Sequence, residues 1–267
     1  MLRMACYGKS DTGRKRSNNE DAFLVNSDLG LAVLADGMGG AAAGELASRF
    51  FTEAALEMFT WMADRRRSDS VSTIEKSFDL ANRRIRGHVQ ENPDHHGMGC
   101  TAELLALNDR SYCLGHVGDS RTYLFRSGQL IQLTRDHSFV QDLLEKGVIT
   151  SSQARTHRMR HVILRAVGTE EALAVDLLKG EALPGDVFLL CSDGLTDMVE
   201  DETIRQILTM PEALSHRAMM LVDAANAAGG HDNVTVVLCE MIAESSGPER
   251  FSDQQLARTE PSRPRRR

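Results

Sequence analysis

The sequence contains no run of apolar residues that approaches the roughly 18 needed to span a membrane. Residues 1–11 also turn polar too soon for a secretory signal peptide. We therefore expect a protein that remains in the cytoplasm and has no transmembrane segment.

Cysteine is scarce, and its five occurrences include no CxxC pair. An odd number without paired spacing argues against a disulfide framework and against a thiolate zinc site. Most of these cysteines lie inside apolar stretches, where a free thiol behaves as a small hydrophobic side chain. We expect reduced, buried thiols at Cys6, Cys100, Cys113, Cys191 and Cys239.

Basic residues are too few to make nucleic acid the expected partner. The net charge is −7, and residues 244–267 contribute +2 through six arginines and four acidic residues, which leaves −9 for residues 1–243. An acidic body suits a protein that concentrates cations. With 42% hydrophobic and 26% charged residues, the composition is typical of a water-soluble globular protein. We expect one monomeric domain over residues 1–243, followed by a flexible Arg-rich tail.

Apolar segments of strand length recur along the chain, mostly bounded by Gly, Asp, Asn or Ser. Two longer segments, Leu46–Met62 and about Ser72–Gln90, instead have the spacing of amphipathic helices. Because strict β-α-β alternation is absent, we predict an α+β fold built on antiparallel sheets, which a β-sandwich with outer helices would satisfy. The other predicted elements are strands at Ala22–Val25, Leu31–Ala35, Ala102–Leu107, Tyr112–Val117, Thr122–Phe125, Leu130–Leu133, Val187–Cys191 and Val234–Cys239, and helices at Phe139–Lys146, Glu202–Leu208 and Glu212–Ala228.

Four aspartates, Asp36, Asp119, Asp193 and Asp232, each lie at the edge of an apolar strand. Taken singly, each is typical of a turn, because aspartate hydrogen-bonds its own backbone there. If the strand ends meet in one sandwich, however, the carboxylates repel one another unless cations neutralise them. Oxygen ligands without thiolates or paired histidines indicate Mg²⁺ or Mn²⁺. The residues alone leave both interpretations open.

The segment from Lys9 to Asp21 mixes basic residues with Asn, Glu and Asp. It can be a solvated loop. Alternatively, one arginine offers its planar fork to a phosphate while the adjoining carboxylates connect to a metal site. Composition does not decide between these interpretations.

Seven short motifs follow one another along the chain. They are Ser10-Asp11-x-Gly13-x-x-Arg16 with Asn19-Glu20-Asp21, Ala35-Asp36-Gly37-Met38-Gly39-Gly40, Gly97-Met98-Gly99-Cys100-Thr101-Ala102, Gly118-Asp119-Ser120-Arg121, Asp136-His137-Ser138, Ser192-Asp193-Gly194-Leu195-x-Asp197 and Asp232-Asn233-Val234-Thr235. In this order and spacing they resemble the metal-dependent protein serine/threonine phosphatase family, the PPM or type 2C class, and most of all its compact bacterial branch. The resemblance covers nearly all of residues 1–243. It implies a sandwich of two antiparallel β-sheets flanked by α-helices.

The resemblance also implies a metal centre at one edge of that sandwich. Asp36, Asp193 and Asp232 are similar to the family's side-chain metal ligands, and Gly37 is similar to the residue that offers its backbone carbonyl. Asp119, together with Asp193, matches a third and weaker site. The implied cofactors are two Mn²⁺ or Mg²⁺ ions. Two such cations about 3.5–4 Å apart lower the pKa of a bridging water, so that hydroxide can attack phosphorus in line.

The remaining implied roles concern the surroundings of the metals. Arg16 resembles the family's phosphate clamp, Glu20 and Asp21 would act mainly through metal-bound waters, and Asn233 would orient Asp232. The implied substrates are phosphoserine and phosphothreonine on proteins, made by a partner serine/threonine kinase. An inactive pseudophosphatase and a small-molecule phosphomonoesterase are the alternatives. The four intact aspartates argue against the first, and the family's open cleft argues against the second.

One departure concerns the proton donor for the leaving group. Many relatives carry a histidine where this chain has Met38 or Ala41. His137 and His161 lie in the segment 136–168, which resembles the family's flap, but a histidine there is more often a surface or hydrogen-bonding residue. A metal-bound water is the other candidate.

Overall fold

The protein's structure, a computed structural model, describes residues 2–39, 43–64 and 69–243. This part of the chain contains eleven strands and seven α-helices. The strands are β1 (Leu2–Asp11), β2 (Asp21–Asn26), β3 (Leu31–Met38), β4 (Gly99–Cys100), β5 (Ala102–Asn108), β6 (Ser111–Val117), β7 (Arg121–Arg126), β8 (Gln129–Gln132), β9 (Asp176–Glu181), β10 (Val187–Cys191) and β11 (Val234–Ala243). The helices are α1 (Ala43–Asp64), α2 (Ser70–Glu91), α3 (Phe139–Glu145), α4 (Ser151–Thr156), α5 (Asp193–Thr196), α6 (Asp201–Thr209) and α7 (Leu214–Ala227).

The strands form two sheets. One has the order β1-β11-β10-β7-β8, and the other has the order β2-β3-β5-β6-β9, with the short β4 paired to the end of β3. Every named strand pair is antiparallel. This arrangement confirms the predicted α+β fold with two antiparallel sheets and helices.

The inner strands of both sheets, such as β3 and β11, are buried on both faces, which explains their continuous apolar runs. In β3, Leu31 and Val33 belong to the core beneath α1 and α2, whereas Leu34 belongs to the core between the sheets. In β11, Val236 faces the core formed with α6 and α7, and Val237 faces the other sheet. Because side chains alternate along a strand, each of these inner strands contributes side chains to two cores. The result is a four-layer molecule, with helices outside both sheets.

The two long helices lie where their periodicity predicts. Phe51 of α1 and Phe78 of α2 are fully buried and meet edge to face, with ring centroids 4.7 Å apart. Asp69 begins α2 as its N-cap, accepting a hydrogen bond from the backbone N–H of Ser72 at 3.3 Å. Full burial of each phenylalanine contributes about 1.5–3 kcal/mol, so the helix pair anchors the layer outside the second sheet.

Some elements lie outside the sequence prediction. Residues 2–11 form β1, which includes the start of the charged segment Lys9–Asp21, because they pair along their whole length with β11. β9 is a partly exposed edge strand, and the two short helices α4 and α5 have no apolar periodicity of their own. β1 and β9 form through pairing with distant strands, whereas α4 begins with a local capping box formed by Thr150 and Gln153.

Three predicted features lie outside the described residues: Gly40 of the second motif, Ala41, and the Arg-rich tail 244–267. The boundary after residue 243 therefore stays a prediction. Within the described ranges, none of the helices has the length and apolar character required of a membrane span.

Candidate metal centre

Strand register brings the motif-bearing strand ends together in pairs. Asp21, the first residue of β2, lies directly opposite Asp36 near the end of β3. In the other sheet, the end of β1 pairs with the start of β11, so that Asp11 lies opposite Val234, two residues after Asp232. Asp193 follows the end of β10 and opens α5.

Hydrogen bonds join these ends across the two sheets. The Ser192 hydroxyl donates to Oδ2 of Asp21 at 2.8 Å and accepts the backbone N–H of Thr235 at 2.9 Å. The Asn233 side chain accepts the backbone N–H of Glu20 at 2.8 Å. It also donates to the carbonyl oxygens of residues 12 and 18 at 3.0 and 2.8 Å. These bonds place Asp21, Glu20 and the β11 start at one edge of the sandwich.

Asn233 contacts Asp232 through its backbone rather than through its side chain. Its backbone N–H, not its side chain, donates to Oδ1 of Asp232 at 2.8 Å. The side chain instead ties the 12–20 segment to β11. The structure therefore assigns Asn233 mainly to the arrangement of the loops around the site.

Gly37 sits where no side chain fits. A Cβ atom there would lie 2.1 Å from the carbonyl oxygen of Gly44 and 2.6 Å from that of Glu20. Its N–H donates to the Glu20 carbonyl at 3.1 Å. The close approach of the start of α1 and the 18–21 segment thus requires glycine at this position, which leaves the backbone of residue 37 beside Asp36.

The carboxylates of the site repel one another. Burial, followed by the charges of Asp21 and Asp193, raises the pKa of Asp36 well above its usual range. Burial, followed by the charge of Asp119, does the same to the pKa of Asp193. The pKa of Asp21 is raised to about 6 mainly by burial, and that of Asp119 to about 7 by burial and the charge of Asp136. Without counter-charges, the site disfavours its own ionised form.

The donor atoms of the site fit divalent cations. Three buried carboxylate oxygens have no hydrogen-bond partner among the described residues: Oδ1 of Asp21, Oδ1 of Asp119 and Oδ1 of Asp193. A buried, unpaired carboxylate oxygen is unfavourable unless a cation or a donor meets it. A set of oxygen donors with excess negative charge matches Mg²⁺ or Mn²⁺.

Arg16 lies beside this cluster. Its Nη2 donates to Oδ2 of Asp232 at 2.7 Å, while 48% of the Arg16 side chain remains exposed. A guanidinium group has five N–H donors, so contact with Asp232 leaves donors for a ligand that approaches from solvent. That these donors bind a phosphate stays a prediction.

A cleft of about 530 Å³ borders the site between α3 and α4 on one side and α5 and the start of α6 on the other. Asp119 and Asp193 are among the residues that line it. The possible ligand atoms of His161, Asp193 and Asp197 lie within 4.8 Å of one another. His161 and Asp197 thus lie beside Asp193, although the sequence suggests for His161 only the role of a surface or hydrogen-bonding residue.

His137 is buried and holds the loop that carries Asp119. Its ring Nδ1 accepts the backbone N–H of Gly118 at 3.0 Å, and the backbone N–H of His137 donates to the Gly118 carbonyl at 2.7 Å. Burial, followed by the neighbouring His116, lowers the pKa of His137 to about 4. Its ring is therefore neutral near pH 7, as a structural clamp requires and a proton donor does not.

Comparisons with known proteins agree with this geometry. A protein-family model described as Protein phosphatase 2C matches residues 11–226. The chain belongs to the protein phosphatase 2C family. The resemblance inferred from the seven motifs is thereby confirmed.

Two bacterial phosphatases are similar over most of the chain. The serine/threonine protein phosphatase PstP of Mycobacterium tuberculosis is 41% identical over 234 residues, which are 88% of this chain and 44% of PstP. The chain therefore spans less than half the length of that relative. The serine/threonine phosphatase stp of Listeria monocytogenes is 34% identical over 236 residues, covering 87% of this chain and 94% of stp.

A solved structure of the PstP catalytic domain in complex with two manganese ions has the same fold. It superposes with a TM-score of 0.83 at 38% identity, covering 91% of this chain and all of that domain. A family member with a solved two-manganese complex is consistent with the donor set found here.

Sequence reasoning missed the hydroxyl groups that hold the carboxylates. Besides Ser192, Thr101 is one of them: its Oγ1 accepts the backbone N–H of Asp36 at 3.2 Å and lies 2.6 Å from Oγ of Ser120. Ser192, Thr101 and Ser120 all lie inside the motifs. Ser192 and Ser120 are next to a predicted ligand in the sequence, and Thr101 lies on the segment beside Asp36. That position is the only signal in the sequence that could have identified them.

Proposed function

We propose that this chain is a metal-dependent protein serine/threonine phosphatase that hydrolyses phosphoserine and phosphothreonine on proteins. The observation that carries the proposal is the group of three buried carboxylate oxygens that have no hydrogen-bond partner in the described part of the chain, beside the half-exposed Arg16. Membership of the phosphatase 2C family and the names of the bacterial relatives support the same activity.

We assign two Mn²⁺ or Mg²⁺ ions to the carboxylates of Asp36, Asp193 and Asp232 and to the backbone carbonyl of Gly37. The manganese ions in the PstP catalytic domain support this number and this type of ion. Asp119 is a candidate for a third, weaker site with Asp193, because both line the cleft and have a buried oxygen without a hydrogen-bond partner among the described residues.

The cations, when bound, supply an attacking water that is ionised near neutral pH. The chain's own residues do the positioning. Asp21 and Glu20 extend the negative surface next to Asp36, and Asn233 and Ser192 keep these carboxylates in place through the hydrogen bonds described above.

Arg16 binds and orients the phosphate. Its contact with Asp232 aims the guanidinium group at the cluster, and its remaining N–H groups are suited to two non-bridging oxygens of the phosphate. Positive charge at this point offsets the charge on the transferring phosphoryl group, whose reaction depends chiefly on positioning and electrostatics.

We infer that solvent protonates the departing serine or threonine oxygen. Met38 has no proton to donate, and His137 is buried and neutral. His161 is exposed and lies beside Asp197, with 3.9 Å between its Nδ1 and Oδ2 of Asp197. It is therefore the side chain to test as an alternative proton donor.

The proposal includes the enzyme's substrates, its location in the cell and its oligomeric state. Its substrates are phosphoproteins made by a partner serine/threonine kinase, and it acts in the cytoplasm as a monomer. The names of PstP and stp support the substrate class, since both are called serine/threonine phosphatases.

The test is to compare hydrolysis of a phosphothreonine peptide, an aryl phosphate and a sugar phosphate in the presence of Mn²⁺. We expect turnover of the first two and little turnover of the sugar phosphate. An Asp36→Asn variant should lose turnover, whereas Asp28→Asn, a change at an exposed turn residue, should retain it. Preference for the sugar phosphate would favour a small-molecule phosphomonoesterase. Binding of the peptide by folded, manganese-loaded protein without turnover would favour a pseudophosphatase.

A further inference from the structure

Two of the five cysteines lie side by side on neighbouring strands. Cys6 of β1 and Cys239 of β11 are directly opposed in the antiparallel register, and their Sγ atoms are 2.8 Å apart. Opposed Cα atoms in antiparallel strands lie about 4.5–5.5 Å apart, within the range of about 4.4–6.8 Å that disulfides require. An S–S bond of about 2.05 Å can therefore form through a movement of less than about 1 Å, without a change of register.

The other three cysteines have no such neighbour within the described residues. Cys100 and Cys191 are buried, and their Sγ atoms lie 3.7 Å from the backbone carbonyls of Ala47 and Arg121. Cys113 is buried on β6. These three thiols are internal controls for the chemistry of the pair.

The two thiols of the pair differ in access. Cys6 is partly exposed, whereas Cys239 is completely buried. Burial and the neighbouring Cys6 raise the pKa of the Cys239 thiol well above its usual value. An oxidant from solvent therefore reaches Cys6 first, and Cys239 is placed to resolve the oxidised sulfur.

We propose that Cys6 and Cys239 form a reversible disulfide when the protein meets hydrogen peroxide. Peroxide oxidises the Cys6 thiol to a sulfenic acid and releases one water. The Cys239 sulfur then attacks the Cys6 sulfur and expels hydroxide, which leaves as a second water with the proton of the Cys239 thiol. One peroxide is thus reduced to two waters as two thiols become one disulfide, and a dithiol reductant reverses the change.

The disulfide would fix an edge strand that leads to the metal centre. β1 is the edge strand of its sheet and pairs only with β11 there. At the far end of this strand pair, Arg16 follows β1 and contacts Asp232, which precedes β11. A covalent bond between the strands opposes fraying of β1 and keeps the Arg16 segment beside the site.

The bond would also stabilise the whole fold. Cys6 and Cys239 are 233 positions apart, and a cross-link that closes a long loop restricts the unfolded chain strongly. We expect a rise in melting temperature of roughly 5–15 °C. Phosphatase activity at low temperature should be unchanged, because neither cysteine contacts the carboxylate cluster.

The test uses the full chain, treated with a small excess of hydrogen peroxide, then unfolded in acid and labelled with a maleimide. We expect three labelled cysteines instead of five, a mass lower by two hydrogens, a linked pair of peptides containing Cys6 and Cys239, and reversal by dithiothreitol. The melting temperature should rise with the fraction of linked protein.

Cys6→Ser and Cys239→Ser should each abolish the link, and Cys113→Ser should retain it. Labelling of all five cysteines after peroxide treatment would overturn the proposal. Oxidation of Cys6 to a sulfinic acid while Cys239 is still labelled would also overturn it. A disulfide that forms without raising the melting temperature would overturn the stabilising role. Since the linked peptides are mapped in the unsubstituted chain, poor folding of a serine variant does not affect the result.

Discussion

Replacement of Asp119 by asparagine is expected to stabilise the metal-free protein. Asp119 is only 8% exposed, and its Oδ1 has no hydrogen-bond partner among the described residues. Burial, together with the charge of Asp136, raises its pKa from 3.8 to about 7. Asparagine keeps the shape of the side chain and removes the charge, so the variant avoids this unfavourable ionisation.

The two pKa values of Asp119 give the magnitude and its pH dependence. Above pH 7 the carboxyl is ionised in both states, and holding it ionised in the fold costs about 1.4 kcal/mol per pKa unit, on the order of 4 kcal/mol in all. As the pH falls below about 7, the folded protein takes up a proton before the unfolded chain does, so the wild-type protein gains stability. At pH 5 the advantage of the variant should be about 2 kcal/mol.

The assay is thermal unfolding in chelator at pH 8 and pH 5. A domain of this size shifts by about 2–4 °C per kcal/mol, so Asp119→Asn should melt roughly 8–16 °C above wild type at pH 8 and about half as far above it at pH 5. Asp28→Asn, at an exposed position, should change stability by less than about 0.5 kcal/mol. Added Mn²⁺ should reduce the difference in melting temperature between the variant and the wild-type protein, because it stabilises the wild-type protein. A lower melting temperature for Asp119→Asn at pH 8 in chelator would refute the reasoning.

Three further changes test other parts of the site. Arg16→Ala should lower kcat/KM for a phosphopeptide by about 10–150-fold, the effect of losing charge-assisted hydrogen bonds, and leave the unfolding midpoint unchanged; a large loss of stability would contradict its role as a phosphate ligand. Gly37→Ala should destabilise the fold by about 1–3 kcal/mol in urea, because the new Cβ meets the carbonyl of Gly44 at 2.1 Å; unchanged stability would show that the backbone can move aside. Ser192→Ala should destabilise by about 1–3 kcal/mol and weaken Mn²⁺ binding in a titration, because Asp21 loses a hydrogen bond; unaltered metal affinity would rule out this positioning role.

The sequence predicted the parts of the fold that carry local periodicity. Buried strands such as Val187–Cys191, predicted and observed with the same bounds, are apolar on both faces and end in Gly, Asp or Ser. The helix around Phe51 repeats its apolar residues every three to four positions, and the structure extends it to Ala43–Asp64. β1 and β9 were missed, because an edge strand that buries only part of its surface has a weaker apolar pattern.

The candidate site was predictable in its residues but not in its connections. The motifs identified Asp36 and Asp193, and they implied that strand ends meet at one edge. Which hydroxyl holds which carboxylate depends on packing between the two sheets, as the Ser192–Asp21 contact between residues 171 positions apart shows. His137 was singled out as a weak candidate proton donor, and only burial reveals it as the clamp on the Asp119 loop. Long-range contacts of this kind leave no local pattern.

The most direct test of the central claim is phosphate release from a phosphothreonine peptide, measured with Mn²⁺, after chelation, and after Mn²⁺ is restored. We predict turnover that disappears in chelator and returns with the metal, and that is absent throughout from a folded Asp193→Asn variant. Turnover that survives complete chelation, or an Asp193→Asn variant as active as the wild-type protein, would contradict the assignment of the carboxylate cluster as the metal centre of a phosphatase.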